Sequence, residues 1–166
     1  MNNSVEMVLA ERADIPEICR IASQVWGKVY SELLSPEQIS YMMDMMYAPR
    51  VIESELENGY LWYLVKLNGS AVGYVSIFFK NGVCKLDKIY LHAEVRRSGI
   101  GRAAIGFVKS EAKKHGAKTL ILNVNKYNTA AQQAYTSYGF KHLRDEVNDI
   151  GGGFVMDDFV LSLDIE

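Results

Sequence analysis

Arg96 to Ala104 reads RRSGIGRAA: two glycines, one residue apart, directly after a basic pair. The stretch admits three readings. Gly99-x-Gly101-x-x-Ala104 has the outline of a dinucleotide-binding turn. Arg96-x-x-Gly99-x-Gly101 has the parts of a phosphate cradle. Glycines let backbone N–H groups converge on an anion, and the helix that follows adds its positive end. Arg96, Arg97 and Arg102 supply charged donors. The third reading is a plain strand-to-helix turn with solvated arginines.

Context removes the first reading. A dinucleotide turn follows its strand directly, opens the fold, and is answered by an acid at the end of the next strand. Here the preceding strand ends near Leu91, and the motif comes late in the chain. The next strand closes on Val124-Asn125 with no acid, so a nucleotide-dependent oxidoreductase loses its footing. No GxxxxGK[ST] is present either.

Working outward, VEMVLA (5–10) reads as a strand, and Asp14 caps a helix whose apolar face runs Ile15, Ile18, Cys19, Ala22, Val25, Trp26, Val29. Ser35-Pro36-Glu37-Gln38 is a capping box with proline at the first helical position. The helix it starts carries Met42, Met43, Met45 and Met46, either core filling or an adaptable wall. Pro49 ends it, and RVIESELENG forms a short third helix. YLWYLVKL, AVGYVSIFFK and VCKLDKIYL are strands joined by Asn68-Gly69 and Asn81-Gly82, strong hairpin signals because both residues tolerate positive φ. A helix from about Gly101 to Lys114 closes at His115-Gly116. TLILNV (119–124) reads as a strand buried on both faces. Asn128 opens a helix that ends near Tyr138, and two strands flank Gly151-Gly152-Gly153. A meander meeting a βαβ crossover is an α/β (α+β) fold, a mixed sheet with helices on both faces.

The 166 residues suit a single domain, 1–166, and the net charge of −2 excludes nucleic-acid binding by bulk electrostatics. Charge is uneven. Residues 1–58 hold ten acids and four bases, whereas Arg96–Lys118 holds seven bases and one acid, so one region suits a cation and another an anion. No signal-like or membrane-spanning run is present, and Cys19 and Cys84 stand far apart without CxxC. A cytoplasmic location, no membrane partner and no metal site are the expectations.

The stretch LDKIYLHAEVRRSGIGRAAI resembles the acetyl-CoA motif of the GNAT superfamily of N-acetyltransferases, with Arg96, Gly99 and Gly101 at the specified positions. LNVNKYNTAAQQAYTSYGF is similar to that superfamily's second signature, through Asn128, Ala131, Tyr135, Gly139 and Phe140. Ala93 departs from the proline many members carry. The resemblance implies a mostly antiparallel seven-stranded sheet splayed at an acetyl-CoA cleft. It implies that Ile89, Tyr90 and Leu91 hold pantetheine along a strand edge. Arg96 and the amides of Arg97, Ser98, Gly99, Ile100, Gly101 and Arg102 would hold the pyrophosphate. Asn128, Ala131 and Tyr135 complete the cofactor side, with Asn128 equally a plain helix cap.

For acetyl transfer, the resemblance makes Tyr135 the acid for the departing thiolate and a backbone N–H near Leu91 the oxyanion donor. Asp87 has two readings. It is a proton acceptor on the face of Ile89, or one half of an ion pair with Lys85, Lys88 or Lys66. The segment WGKVYSELLSPEQISYMMDMMY, with Glu32, Glu37 and Asp44, suits a cationic amine. Its layout resembles the bacterial polyamine (spermidine/spermine) acetyltransferase branch. The alternatives are a protein N-terminal or lysine acetyltransferase and a catalytically silent acyl-CoA-binding module. A homodimer is an assembly left open.

Overall fold

The structure is a computed structural model that describes residues 4–166. Its strands are β1 (Val5–Leu9), β2 (Leu61–Leu67), β3 (Ser70–Lys80), β4 (Val83–Leu91), β5 (Thr119–Asn125), β6 (Lys141–Gly151) and β7 (Phe154–Asp164). Its helices are α1 (Ile15–Tyr30), α2 (Pro36–Tyr47), α3 (Pro49–Glu57), α4 (Ile100–Lys114) and α5 (Thr129–Ser137). The strands form one seven-stranded sheet in the order β1-β2-β3-β4-β5-β7-β6. Every neighbouring pair is antiparallel except β4 with β5. Among the described residues, no helix is long and apolar enough to cross a membrane.

The hairpins follow the local chemistry. Asn68 and Gly69 sit at φ 52° and 86°, Asn81 and Gly82 at 52° and 76°, the left-handed pair that matches strand twist. The helix starts follow it only in part. Ser35 accepts from the Gln38 amide at 3.1 Å, but the Gln38 side chain donates to the Val155 carbonyl, so the cap is one-sided. The Asp14 carboxylate bonds the Glu11 amide rather than the first turn of α1. Pro49 stops α2 and starts α3 at once: it holds Ala48 extended, with ψ 139°, between them.

Two cores lie on opposite faces of the sheet. On one, α4 buries Ile100, Ala104, Ile105, Val108 and Ala112 against the strands. On the other, α1 buries Ile18, Ile21, Val25 and Trp26 against Met42, Ile52, Trp62 and Tyr74. Each buried Val, Ile or Met side chain here contributes roughly 1.5–3 kcal/mol of transfer free energy. Met42 is therefore core, while Met45 points outward. β5 differs from its expectation: burial alternates, with Leu120, Leu122 and Val124 buried and Thr119, Ile121 and Asn123 half-buried. The α1–α3 layer rests chiefly on β2, β3 and β4, which leaves this face of β5 part-open.

One irregularity opens the sheet. Ser76 pairs with Lys88 and Ile77 with Leu86, so Asp87 is an extra residue in β4, a β-bulge. The β4–β5 ladder runs from Val83↔Thr119 to Leu86↔Leu122 and stops there, although β4 continues to Leu91 and β5 to Asn125. The two strands part at the bulge.

Candidate active site

The upper part of β4 has a free edge facing the gap. The His92 amide donates to the Val72 carbonyl at 2.8 Å, which sets the alternation. His92 and Tyr90 turn their amide groups toward β3, while Leu91 and Ile89 turn theirs toward β5. Gly73 permits this approach: a Cβ there would stand 2.4 Å from the Tyr90 carbonyl oxygen and 2.6 Å from a Leu91 methyl. The Tyr90 side chain lies on the other face, as alternation predicts, and its hydroxyl shares a 2.9 Å hydrogen bond with that of Tyr30 on the α1 side.

The glycine loop is a tight turn onto α4. Arg97 and Gly99 both take left-handed φ, 59° and 88°, and Gly99 is the residue before the helix. The first-turn amides have no intrahelical acceptor. They converge at the positive end of α4, at the mouth of the gap. The side chains do several things. The Arg96 guanidinium donates to the Leu91 carbonyl at 3.2 and 3.3 Å, tying the loop to the strand end. Ser98 donates to the Val95 carbonyl. The Arg102 guanidinium lies 4.9 Å from the centre of the Tyr138 ring, fastening α4 to the end of α5. Ile100 is core, so only its amide faces the loop. A Cβ on Gly101 would stand 3.1 Å from the Tyr138 hydroxyl, so that glycine allows α4 and α5 to close up.

Across the gap, Asn128 accepts from the Ala131 amide at 3.3 Å, so it is a helix cap. Ala131 and Tyr135 are half-buried on the α4 side of the sheet, and the Tyr135 ring meets Phe140 edge-on at 5.8 Å. Burial pushes the Tyr135 phenol up, with the Tyr30 and Tyr138 hydroxyls near it. The phenol therefore holds its proton throughout the neutral range.

The bulge decides the place of Asp87. Strict alternation would put it with Ile89. The extra residue instead turns it to the α1–α3 side, where its carboxylate meets Lys88 at 2.6 Å. Lys88 is buried, lies 3.5 Å from Glu55, and sits 5.1 and 5.8 Å from the Trp62 and Tyr47 ring centres. The ion-pair reading of Asp87 thus holds, with Lys88 as the partner. Lys66 stays on β2, and Lys85 turns to Asn123.

That Asn123 anchors a second polar group which the sequence did not disclose. Its carbonyl oxygen accepts from Lys85, and its NH2 donates to Glu146 at 2.6 Å and Asp158 at 3.3 Å. Glu146 and Asp158 are directly paired across β6 and β7. Their environments drive them apart. Hydrogen bonds from Asn123 and Asn148 hold Glu146 below the usual carboxylate range, whereas burial raises Asp158. Glu32 and Glu37 remain on the exposed surface, and Asp44 pairs outward with Arg50 at 3.3 Å. The tip of β6–β7 closes this side: Tyr41 donates to the Ile150 carbonyl at 2.7 Å and Gln38 to that of Val155 at 2.9 Å.

A strand edge opened by a bulge, a glycine-capped helix pointing at it and a tyrosine opposite define an acyl-transfer class of fold. The acetyltransferase (GNAT) family matches residues 26–140, and the chain belongs to that family of acyltransferases. No curated protein matches it in sequence. Among solved structures, it is similar to the PaiA N-acetyltransferase from Thermoplasma acidophilum in complex with coenzyme A. The identity is 20%, over 97% of this chain and 99% of that one, with TM-score 0.81. It is also similar to a GCN5-related N-acetyltransferase from Rhodopseudomonas palustris, at 16% identity over 99% and 96% of the chains, TM-score 0.81. The ribosomal-protein-S18-alanine N-acetyltransferase from Escherichia coli is similar at 21% identity over 99% and 94%, TM-score 0.72.

Proposed function

We propose that this acetyltransferase moves an acetyl group from acetyl-CoA directly to a primary amine of a small, cationic, polyamine-like acceptor. The observation that carries the reading is the free β4 edge at Ile89 and Leu91, with the α4 start at one end of the gap and Tyr135 opposite. Those parts fit the donor. The free edge offers amide groups to a pantetheine arm as an added strand would. The amides of residues 97–102 and the end of α4 suit a pyrophosphate. The Leu91 amide hydrogen stabilises the developing oxyanion, and Tyr135 protonates the departing thiolate, a contribution of about 10²–10⁴-fold.

The acceptor is argued from charge and closure. Glu55, Asp87, Glu146 and Asp158 gather on the α1–α3 face of the sheet against Lys85 and Lys88, amid the Trp26, Tyr30 and Tyr90 rings. Four carboxylates against two lysines leave this face net acidic, which favours a cation. The bonds that join α2 to the β6–β7 tip narrow the approach, which favours a small amine over an extended peptide. The test is thiol release from acetyl-CoA across spermidine, spermine, amino acids, aminoglycosides and peptides. Polyamines are expected to turn over fastest. Faster turnover with peptides would move the assignment to protein acetylation, and none with any amine would leave an acyl-CoA-binding module.

A further inference from the structure

Resting on that acetyl-transfer reading, we infer that Asp158 is the proton acceptor for the attacking amine, with Asn123 and Lys85 as the residues that position it. Asp158 is 3% exposed, and its Oδ1 has no hydrogen-bond partner. Its Oδ2 has one, the 3.3 Å bond from Asn123. A buried carboxylate with an empty acceptor site is costly to keep. The nearby carboxylates are not in that state. Asp87 is paired with Lys88, and Glu146 accepts from Asn123 and from Asn148 at 3.0 Å.

Position agrees with chemistry. Asp158 pairs with Asn125, the last residue of β5, on the stretch that has already left β4. It lies close enough to Tyr30 for its charge to raise that phenol. Tyr30 bonds Tyr90, which stands on β4 between Ile89 and Leu91, and Tyr30 in turn acts on Tyr135. Asp158 and Tyr135 thus both lie near Tyr30, whose hydroxyl meets that of Tyr90 on the open edge. The titratable groups that act on Asp158 are Lys85 from β4, Glu146 from β6 and the adjacent Asp157 on the other face of β7, with the neutral Tyr30 hydroxyl of α1 near it. Paired acids whose environments part their proton affinities divide the labour: Glu146 stays an anion, and Asp158 can take up and release a proton.

The step balances. The amine nitrogen gives its lone pair to the thioester carbonyl carbon, and its N–H proton passes to Asp158 Oδ1. The carbon–sulfur bond breaks, and the sulfur takes the Tyr135 proton. Solvent then returns a proton from Asp158 to Tyr135. An amine that arrives as ammonium first loses one proton to solvent by the same carboxylate.

The test is steady-state thiol release from acetyl-CoA with spermidine, beside calorimetric CoA binding. Asp158→Asn is expected to lower kcat by about 100-fold or more while the CoA Kd stays within about twofold. It is also expected to abolish the acid limb of the kcat/KM–pH profile. In Asp158→Ala, added formate should restore turnover at least about tenfold, and equal chloride should not. Asp164→Asn, at the exposed far end of β7, serves as a surface control. An unchanged kcat and acid limb in Asp158→Asn would overturn the assignment. So would a raised KM at unchanged kcat, because Asp158 would then only bind charge. A wild-type enzyme that acetylates no amine would overturn the acetyl-transfer reading and this assignment together.

Discussion

Two sets of charges sit on the same face of one sheet, and they are built oppositely. Around Lys88 the partners are complete: Asp87 at 2.6 Å, Glu55 at 3.5 Å, and two aromatic rings overhead. Around Asp158 they are incomplete: one long bond from Asn123, an oxygen without a donor, and a second carboxylate directly opposite. Opposed like charges are destabilising in a sheet. A satisfied buried ion set fixes the fold where β4 bulges. An unsatisfied one is stability given up, and such losses gather where chemistry is done.

Breaking the first set should have the largest effect. Lys88→Ala strands two carboxylates and is expected to cost about 3–5 kcal/mol, lowering Tm by on the order of 10 °C in a thermal melt. Next comes the acid across the gap. Tyr135→Phe should lower kcat by about 100-fold, roughly 2.7 kcal/mol, with CoA affinity nearly intact. An equal loss of both would make Tyr135 a packing residue. Asp87→Asn leaves Lys88 with Glu55 and should cost about 1–2 kcal/mol in a denaturant titration, with less than a tenfold fall in kcat. That distinguishes it from Asp158→Asn. The smallest effect has the opposite sign. Burial raises Asp158 above its unfolded value, so between the two pKa values the native state binds more protons than the unfolded one. Wild-type stability then falls as pH rises through that window. Asp158→Asn removes the penalty and should raise Tm by a few degrees at pH 8, with little difference at pH 3.

Much of the frame could be read from the chain. Asn-Gly turns fixed the meander, and the glycine loop between β4 and α4 stood where the crossover required it. The N-acetyltransferase resemblance held at the level of the family. What could not be read depends on contacts between distant strands. Nothing in Leu86-Asp87-Lys88 announces a bulge, because a bulge is a mismatch with Ser76 and Ile77 of the neighbouring strand. Alternation alone therefore put Asp87 on the wrong face. Asp158 was hidden in FVMDDFVLSL, a run that reads as an ordinary strand. Its partners, Asn123 and Glu146, come together only through the β5-β7-β6 order. One signal was available: Asp158 shares the face of Val160, so an acid points the same way as an apolar neighbour. The close approach at Gly73 likewise appears only once β3 and β4 are side by side.

The contrast between the two sets is tested most directly by carboxylate titration, followed by carbon-13 NMR with assigned Asp and Glu side chains. Asp158 is expected to titrate above the ordinary aspartate range and Glu146 below the ordinary glutamate range, two separated steps from carboxylates that face each other. An Asp158 that titrates at or below the ordinary aspartate value would mean that its charge is already compensated. The account of a carboxylate held ready for the amine's proton would then be wrong.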